Sequence, residues 1–277
     1  MTVLRQMLEN YDMTTAEGAV NGLREVMQEV ALAGLYRGGF FDKAAFYGGS
    51  CLRIFYGLPR FSEDLDFSLL ATDTDFSLEL YFKAVREEFS ALGLDVEISA
   101  KKKMVRTGIE SAFLKSDTRI FSFAVHADKT IKIKFEVDTV PPLGFATEEK
   151  LLLQPFSFYV KCFILPDLFA GKMHVLLFRK WKNRVKGRDW FDFEWYVRQG
   201  APMSLSHFVS RAKQSGHLHE EHLTVPEFRH LLERRIEALD VTAARNDVSR
   251  FVKDDEVLKI WSRDYFHELA KRMHITA

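Results

Sequence analysis

Two aspartates one residue apart, Asp64 and Asp66 in SEDLDFSLL, have the clearest chemical potential in this chain. Leu65, Phe67 and Leu69 alternate with Asp64, Asp66 and Ser68, the period of a half-buried strand, and side chains at i and i+2 leave a strand on the same side. Two carboxylates therefore stand side by side. Such hard oxygen donors bind Mg²⁺ or Mn²⁺ and leave positions for water and phosphate oxygens, as metal-assisted phosphoryl and nucleotidyl transfer requires. Taken alone, an Asp-x-Asp strand is more often a solvated face.

The segment YGGSCLRIFYG, just upstream, adds what a phosphate needs. Gly48 and Gly49 let backbone approach a ligand, and Ser50 at the start of a short helix would offer a hydroxyl and helix N-terminal amides. A glycine turn with a serine cap has the same three letters, so it is the conjunction with Asp64 and Asp66 that points to nucleotides. A third carboxylate is expected on a neighbouring strand, to complete a metal site and help deprotonate an attacking hydroxyl. The strand TIKIKFEVDTV offers Glu136 and Asp138, which share the parity of Lys132 and Lys134, opposite Ile133, Phe135 and Val137. Glu136 is preferred and Asp138 is the alternative; a plain amphipathic edge strand is the bland reading.

Lys172 interrupts a helical stripe of Leu165, Leu168, Phe169 and Leu176, so its ammonium needs a phosphate, a carboxylate or, by snorkelling, water. Six basic residues lie between Arg179 and Arg188 with no acid among them, and Asp189 and Asp192 follow. The run suits triphosphate or an RNA backbone, and equally a solvated loop. Asp189 could cap a helix, with Asp192 in its first turn.

The elements that must position these groups are readable in outline. Val20, Leu23, Val26, Met27, Val30 and Leu32 predict an amphipathic helix over 16–35; AAFY reads as a strand entering the glycine turn, and a short helix ends at Gly57. Residues 76–92 read as helix, and DVEISAKK, RIFSFAVHA and TIKIKFEVDTV as strands, the last two joined by a turn near Asp128. Pro141, Pro142 and Pro155 mark a looser connection, and beyond Pro166 the pattern is almost wholly helical. The expected fold class is α/β (α+β): an N-terminal domain, residues 1–165, with a mixed sheet flanked by helices, and a mostly helical C-terminal domain, residues 166–277.

Hydrophobic residues at 47% and charged residues at 28% describe a globular chain with a sizeable core, and 25 Phe are there chiefly to pack it. With 39 basic and 39 acidic residues there is no net field toward nucleic acid or membrane, so local clusters must carry any such role. Cys51 and Cys162 have no metal-ligand or disulfide spacing, and no stretch reads as a secretory signal or membrane span. A soluble protein in a reducing cytoplasm is expected. The histidines His217, His219 and His222 in HLHEEH lack HExxH spacing, which argues against a metal-dependent hydrolase.

The segment YGGSCLRIFYGLPRFSEDLDF resembles the GG[ST]xLR…RxSxDxDF signature of the AbiEii/AbiGii toxin family, within the DNA polymerase β-like nucleotidyltransferase superfamily. LFAGKMHVLLFR and KGRDWFDF resemble the family's AEKLxALxxR and RxRDxxDL elements, in the same order. The resemblance spans about residues 16–196 and implies an N-terminal nucleotidyltransferase domain. It assigns phosphate contact to Gly49 and Ser50, with Gly48 beside them in the nucleotide-binding set, and metal binding to Asp64 and Asp66. Arg53, Arg60 and Ser62 fall in the nucleotide-binding set, although salt bridges to Glu63 or other carboxylates are as ordinary a use of the arginines. Lys172 matches the family lysine, and Asp189 and Asp192 the acidic element, so the helical domain is expected to contribute to the site. Gly171 stands where the family has Glu, and Glu136 where Asp is common. The implied function is the toxin of a bacterial toxin–antitoxin or phage-defence pair, transferring nucleotides from an NTP to an acceptor such as tRNA. The competing reading is a nucleotide-sensing or antitoxin-binding module with little transfer activity.

Overall fold

The computed structural model describes residues 3–101, 118–126, 130–179, 185–220, 222–252 and 254–277. They divide into two compact units: Met1–Gly57, Phe61–Pro141 and Thr147–Cys162 form the first, and Leu58–Arg60, Pro142–Ala146 and Phe163–Ala277 the second. The helical unit thus takes two short pieces from ahead of its main segment.

The first unit contains α1 (Val3–Leu8), α2 (Ala16–Arg37), β1 (Ala44–Tyr47), α3 (Gly48–Tyr56), β2 (Asp64–Leu69), α4 (Phe82–Ala91), β3 (Asp95–Lys101), β4 (Thr118–His126), β5 (Thr130–Asp138), β6 (Thr147–Leu152) and β7 (Phe158–Phe163). Among the described residues the strands make one seven-stranded sheet, ordered β3-β4-β5-β2-β1-β7-β6. β2 is central, antiparallel to β1 and parallel to β5, while β5, β4 and β3 form an antiparallel run and β7 is parallel to β1. This is the mixed sheet flanked by helices that the sequence predicts.

Strands β6 and β7 are additions to that expectation. TEEKLL in β6 alternates only exposed with half-exposed positions, so no apolar signal marks it. In β7 the buried Phe158, Val160 and Cys162 do alternate with Tyr159 and Lys161, a pattern set in the stretch expected as a loose connection.

Helix α2 is capped by the Thr15 hydroxyl, which accepts from the Gly18 amide, and carries Glu17 in its first turn, where the helix dipole favours an acid. Its Val26, Met27, Val30, Ala31, Leu32 and Leu35 form a buried face against α4 and β5. Phe67 on β2 meets Phe40 edge-on at 4.9 Å, Phe46 at 5.2 Å and Phe135 of β5 in a stack at 6.1 Å. The phenylalanines thus hold β2 by one face, leaving its other face to the aspartates.

The second unit contains α5 (Leu165–Phe178), α6 (Gly187–Arg198), β8 (Pro202–Ser204), α7 (Leu205–Gln214), α8 (Val225–Glu237), α9 (Val241–Val248), α10 (Arg263–Arg272) and β9 (His274–Thr276). The parallel pair β8 and β9, in register at Met203 and Ile275, is an addition to the mostly helical expectation, because strands of three residues leave no alternation to read. Phe169 of α5 stacks on Tyr196 of α6 at 4.2 Å, and the buried Glu194 is satisfied by Trp261 Nε1 at 2.6 Å and the Tyr265 hydroxyl at 2.7 Å. No described helix is long and apolar enough to cross a membrane.

Candidate active site

In the sheet unit, β1 passes directly into α3 at Gly48. Tyr47 lies opposite Asp66 across the antiparallel pair, so the next residue is beside the Asp66 side chain. Gly48 has φ +83°, and a Cβ placed on it would stand 2.4 Å from Asp66 Oδ2. Glycine alone meets both conditions. The first turn of the nine-residue helix α3, with amides that lack intrahelical acceptors, is therefore set against the Asp66 carboxylate.

Ser50 is fully buried and its hydroxyl donates to the Asp64 carbonyl, tying α3 to the first residue of β2. In this structure the Ser50 hydroxyl therefore holds the strand. Asp64 and Asp66 occupy half-exposed positions of β2, while Leu65 and Phe67 between and after them have no exposed surface.

The parallel register sets Asp64 opposite Lys134, Asp66 opposite Glu136 and Ser68 opposite Asp138. Glu136 is thus the acid on the same face beside Asp66, about 4.8 Å away at the backbone. Asp138 is 7% exposed and accepts from the Val140 amide at 3.2 Å, which favours Glu136 of the two alternatives. Lys134 Nζ donates to Glu136 Oε1. Burial disfavours the ammonium, but the Glu136 hydrogen bond and the charges of Glu136, Asp64 and Asp66 outweigh it and hold Lys134 above the usual lysine range.

Among the described residues no group of three or more carboxylates, imidazoles or thiols is gathered closely enough to hold a metal ion as it stands. Asp64, Asp66 and Glu136 form instead an open face of hard oxygen donors beside a glycine that leaves Asp66 space. That donor chemistry fits Mg²⁺ or Mn²⁺, which keep several water ligands. His217 is occupied elsewhere, with Nδ1 2.6 Å from Ser215 Oγ and its ring stacked on Phe178.

Arg53 and Ser62 of the motif are both tied to α2. Arg53 Nε pairs with Glu25 of α2 at 2.8 Å and lies over the Phe61 ring at 4.6 Å, and Glu25 also accepts from the Tyr11 hydroxyl at 2.9 Å. The Ser62 carbonyl accepts from Gln28 Nε2 at 3.1 Å, so α2 grips the loop that precedes Asp64.

The helical unit holds a second constellation. Arg60 reaches Asp192 in a two-pronged contact, Nε to Oδ1 at 2.6 Å and Nη2 to Oδ2 at 2.7 Å, with the side chains 3% and 0% exposed. Lys172 Nζ lies 2.8 Å from Asp192 Oδ2 and 2.9 Å from Asp189 Oδ1. Burial works against every charge here. It is overcome at Asp192, held below the usual carboxylate range by Arg60 and Lys172, and at Arg60 and Lys172, held above theirs by the aspartates.

Asp189 is not the helix cap. Lys186 occupies the N-cap position of α6 without a side-chain bond, Asp189 follows in the first turn, and the Gly187 amide donates to Asp247 of α9 at 3.0 Å. Gly187 is required there, since a Cβ would fall 1.9 Å from the Ala244 carbonyl oxygen. Neither Asp247 nor Lys134 was singled out by sequence reasoning. The signal for Lys134 is its shared parity with Glu136, whereas nothing local to α6 announces Asp247. Lys180, Lys182 and Arg184 of the basic run, and the turn expected near Asp128, lie outside the described residues. Of the later arginines, Arg229 donates to the Met273 carbonyl at 3.0 Å and Arg235 to that of Leu176 at 2.9 Å, bonds that close the helical unit.

A mixed sheet presenting paired aspartates beside a Gly-Gly-Ser helix start is what the family resemblance leads one to expect of a nucleotidyltransferase. A family model described as "Nucleotidyl transferase AbiEii toxin, Type IV TA system" matches residues 30–269, and the chain belongs to that family. Among solved structures, that of a candidate nucleotidyltransferase from Helicobacter pylori matches with a TM-score of 0.52 at 19% identity, over 91% of this chain and 93% of that one. JHP933 from Helicobacter pylori matches with a TM-score of 0.55 at 18% identity, over 91% and 90%. These two are likenesses of fold. No curated protein matches the chain.

Proposed function

We propose that this nucleotidyltransferase moves a nucleotide from an NTP to an RNA hydroxyl, with tRNA the first acceptor to test, in a Mg²⁺- or Mn²⁺-dependent reaction. Its biological setting is a cytoplasmic toxin of a phage-defence pair, held in check by a cognate antitoxin. The observation that supports this reading best is the face made by Asp64, Asp66 and Glu136 with the first turn of α3 set against it.

Asp64, Asp66 and Glu136 would hold the divalent ion, which when bound supplies charge neutralisation at the phosphate oxygens. The amides at Gly48 and Gly49 hold triphosphate oxygens, while Ser50 keeps Asp64 in place. The acceptor oxygen bonds to the α-phosphorus, the bond to the bridging oxygen breaks, and pyrophosphate leaves. A Glu136 oxygen takes the hydroxyl proton. Positioning and charge account for most of such catalysis. Lys172 is assigned to nucleotide binding together with Ser62. Asp189 rather than Asp192 is assigned to catalysis, because Asp192 is 0% exposed and already paired with two cations. Arg53 and Arg60 hold the frame.

Incubation with each α-labelled NTP and total RNA tests this directly. The wild type should label RNA with at least one NTP and Asp66→Ala should label none. If no NTP is transferred under any metal, the chain is a nucleotide-sensing or antitoxin-binding module instead.

A further inference from the structure

We propose that Lys134 is a resident counter-cation of the carboxylate face, balancing Asp64, Asp66 and Glu136 until a divalent ion binds and then being displaced from Glu136. The inference rests on reading that face as the metal site. Three observations carry it. Lys134 lies opposite Asp64 in the β2–β5 register, two residues before Glu136 and on the same side of β5. Its ammonium is on Glu136, the acid opposite Asp66. Both side chains also keep solvent access, 38% for Lys134 and 28% for Glu136, so the pair is able to open.

Acids kept on one face by strand register repel one another, and a cation from the chain or from solution lowers that repulsion. A lysine suits an exchangeable role, because its flexible stem lets the ammonium leave without disturbing the backbone. Metal entry on this view is an exchange, in which a divalent ion replaces an ammonium at Glu136. Lys134 is then a positioning residue that sets how much metal is needed.

Mn²⁺ binding to the full chain without nucleotide, followed by electron paramagnetic resonance of the free ion, measures the exchange. Lys134→Met should bind Mn²⁺ about tenfold more tightly than wild type, since a like charge has gone from the site. Lys134→Gln, which retains a donor for Glu136, carries the same expectation should the methionine variant fold poorly. Lys134→Arg should stay near wild type, and Asp66→Ala should lose binding. In EDTA the Met and Gln variants should melt below wild type, and saturating Mn²⁺ should remove the difference, whereas an ordinary structural ion pair would leave it in place. Wild-type or weaker Mn²⁺ affinity in both neutral variants, with binding still lost in Asp66→Ala, overturns the role of Lys134 and leaves the metal face standing. Absence of Mn²⁺ binding in wild type and neutral variants alike overturns both.

Discussion

Asp66 of the sheet unit and Asp192 of the helical unit are the same residue on regular elements, at different depths from solvent. Asp192 has no exposed surface and is gripped by Arg60 at 2.6 and 2.7 Å and by Lys172 at 2.8 Å, so its charge is already compensated. Asp66 keeps a half-exposed carboxylate against a glycine corner, beside a glutamate whose own partner is a flexible lysine. Compensated acids hold a structure together. Acids that share a half-exposed face, as Asp64 and Asp66 do, are the ones our proposed divalent ion would reach.

The largest contrast is in activity. Asp64→Ala and Asp66→Ala should each reduce transfer by about 10³-fold or more, the scale of losing metal-assisted charge stabilisation. In EDTA their melting temperatures should stay close to wild type, and Mg²⁺ with NTP should stabilise the wild type alone through binding linkage. Substantial transfer by both variants would remove the carboxylate face from the chemistry.

Asp192→Ala should behave in the reverse manner. It leaves Arg60 and Lys172 buried without their shared anion, a change that typically costs about 3–5 kcal/mol, read as a lowered urea midpoint of the full chain. Lys172→Met should cost less, because Arg60 still compensates Asp192 and the apolar stem is retained. If Asp192→Ala proves as stable as wild type while losing all transfer, Asp192 is catalytic rather than architectural and the comparison fails.

How much of this was legible in the sequence follows from the range of each interaction. Asp64 and Asp66 share a strand, and strand period is local, so their common face was readable, as was the helix start after Gly48. The choice between Glu136 and Asp138 was not, because parity puts both acids on one side and only the β2–β5 register sets Glu136 rather than Asp138 opposite Asp66. Arg60 and Asp192 are separated by 132 residues, and Gly187 from its capping Asp247 by 60, distances at which no periodicity carries information. The Ser50 hydroxyl was expected outward because GGS is a phosphate motif; tertiary packing turned it onto the Asp64 carbonyl instead.

The smallest predicted contrast is a pH dependence of opposite sign in the two units. Burial, aided by the charge of Glu25, pushes Glu29 of α2 up to about 8. A raised folded value means that its stabilising contribution is complete below pH 4.5, the ordinary value, and is lost as pH rises through 8. Burial, with Arg211 nearby, pushes His174 and His207 of the helical unit down to about 3. Their contribution is present above pH 6.5 and is lost as pH falls toward 3, because the unfolded chain takes up protons that the folded unit refuses. At pH 5 each histidine should cost about 2 kcal/mol, and Glu29, which is partly exposed, about 1–2 kcal/mol at pH 7. Hydrogen exchange, corrected for intrinsic rates, should show α2 peptides gaining protection between pH 8 and 5 while α5 and α7 peptides lose it. Glu29→Gln should flatten the first trend and leave the second; His207→Gln should weaken the second and leave the first. Parallel trends in both units would mean that these buried groups do not control the local stability of either.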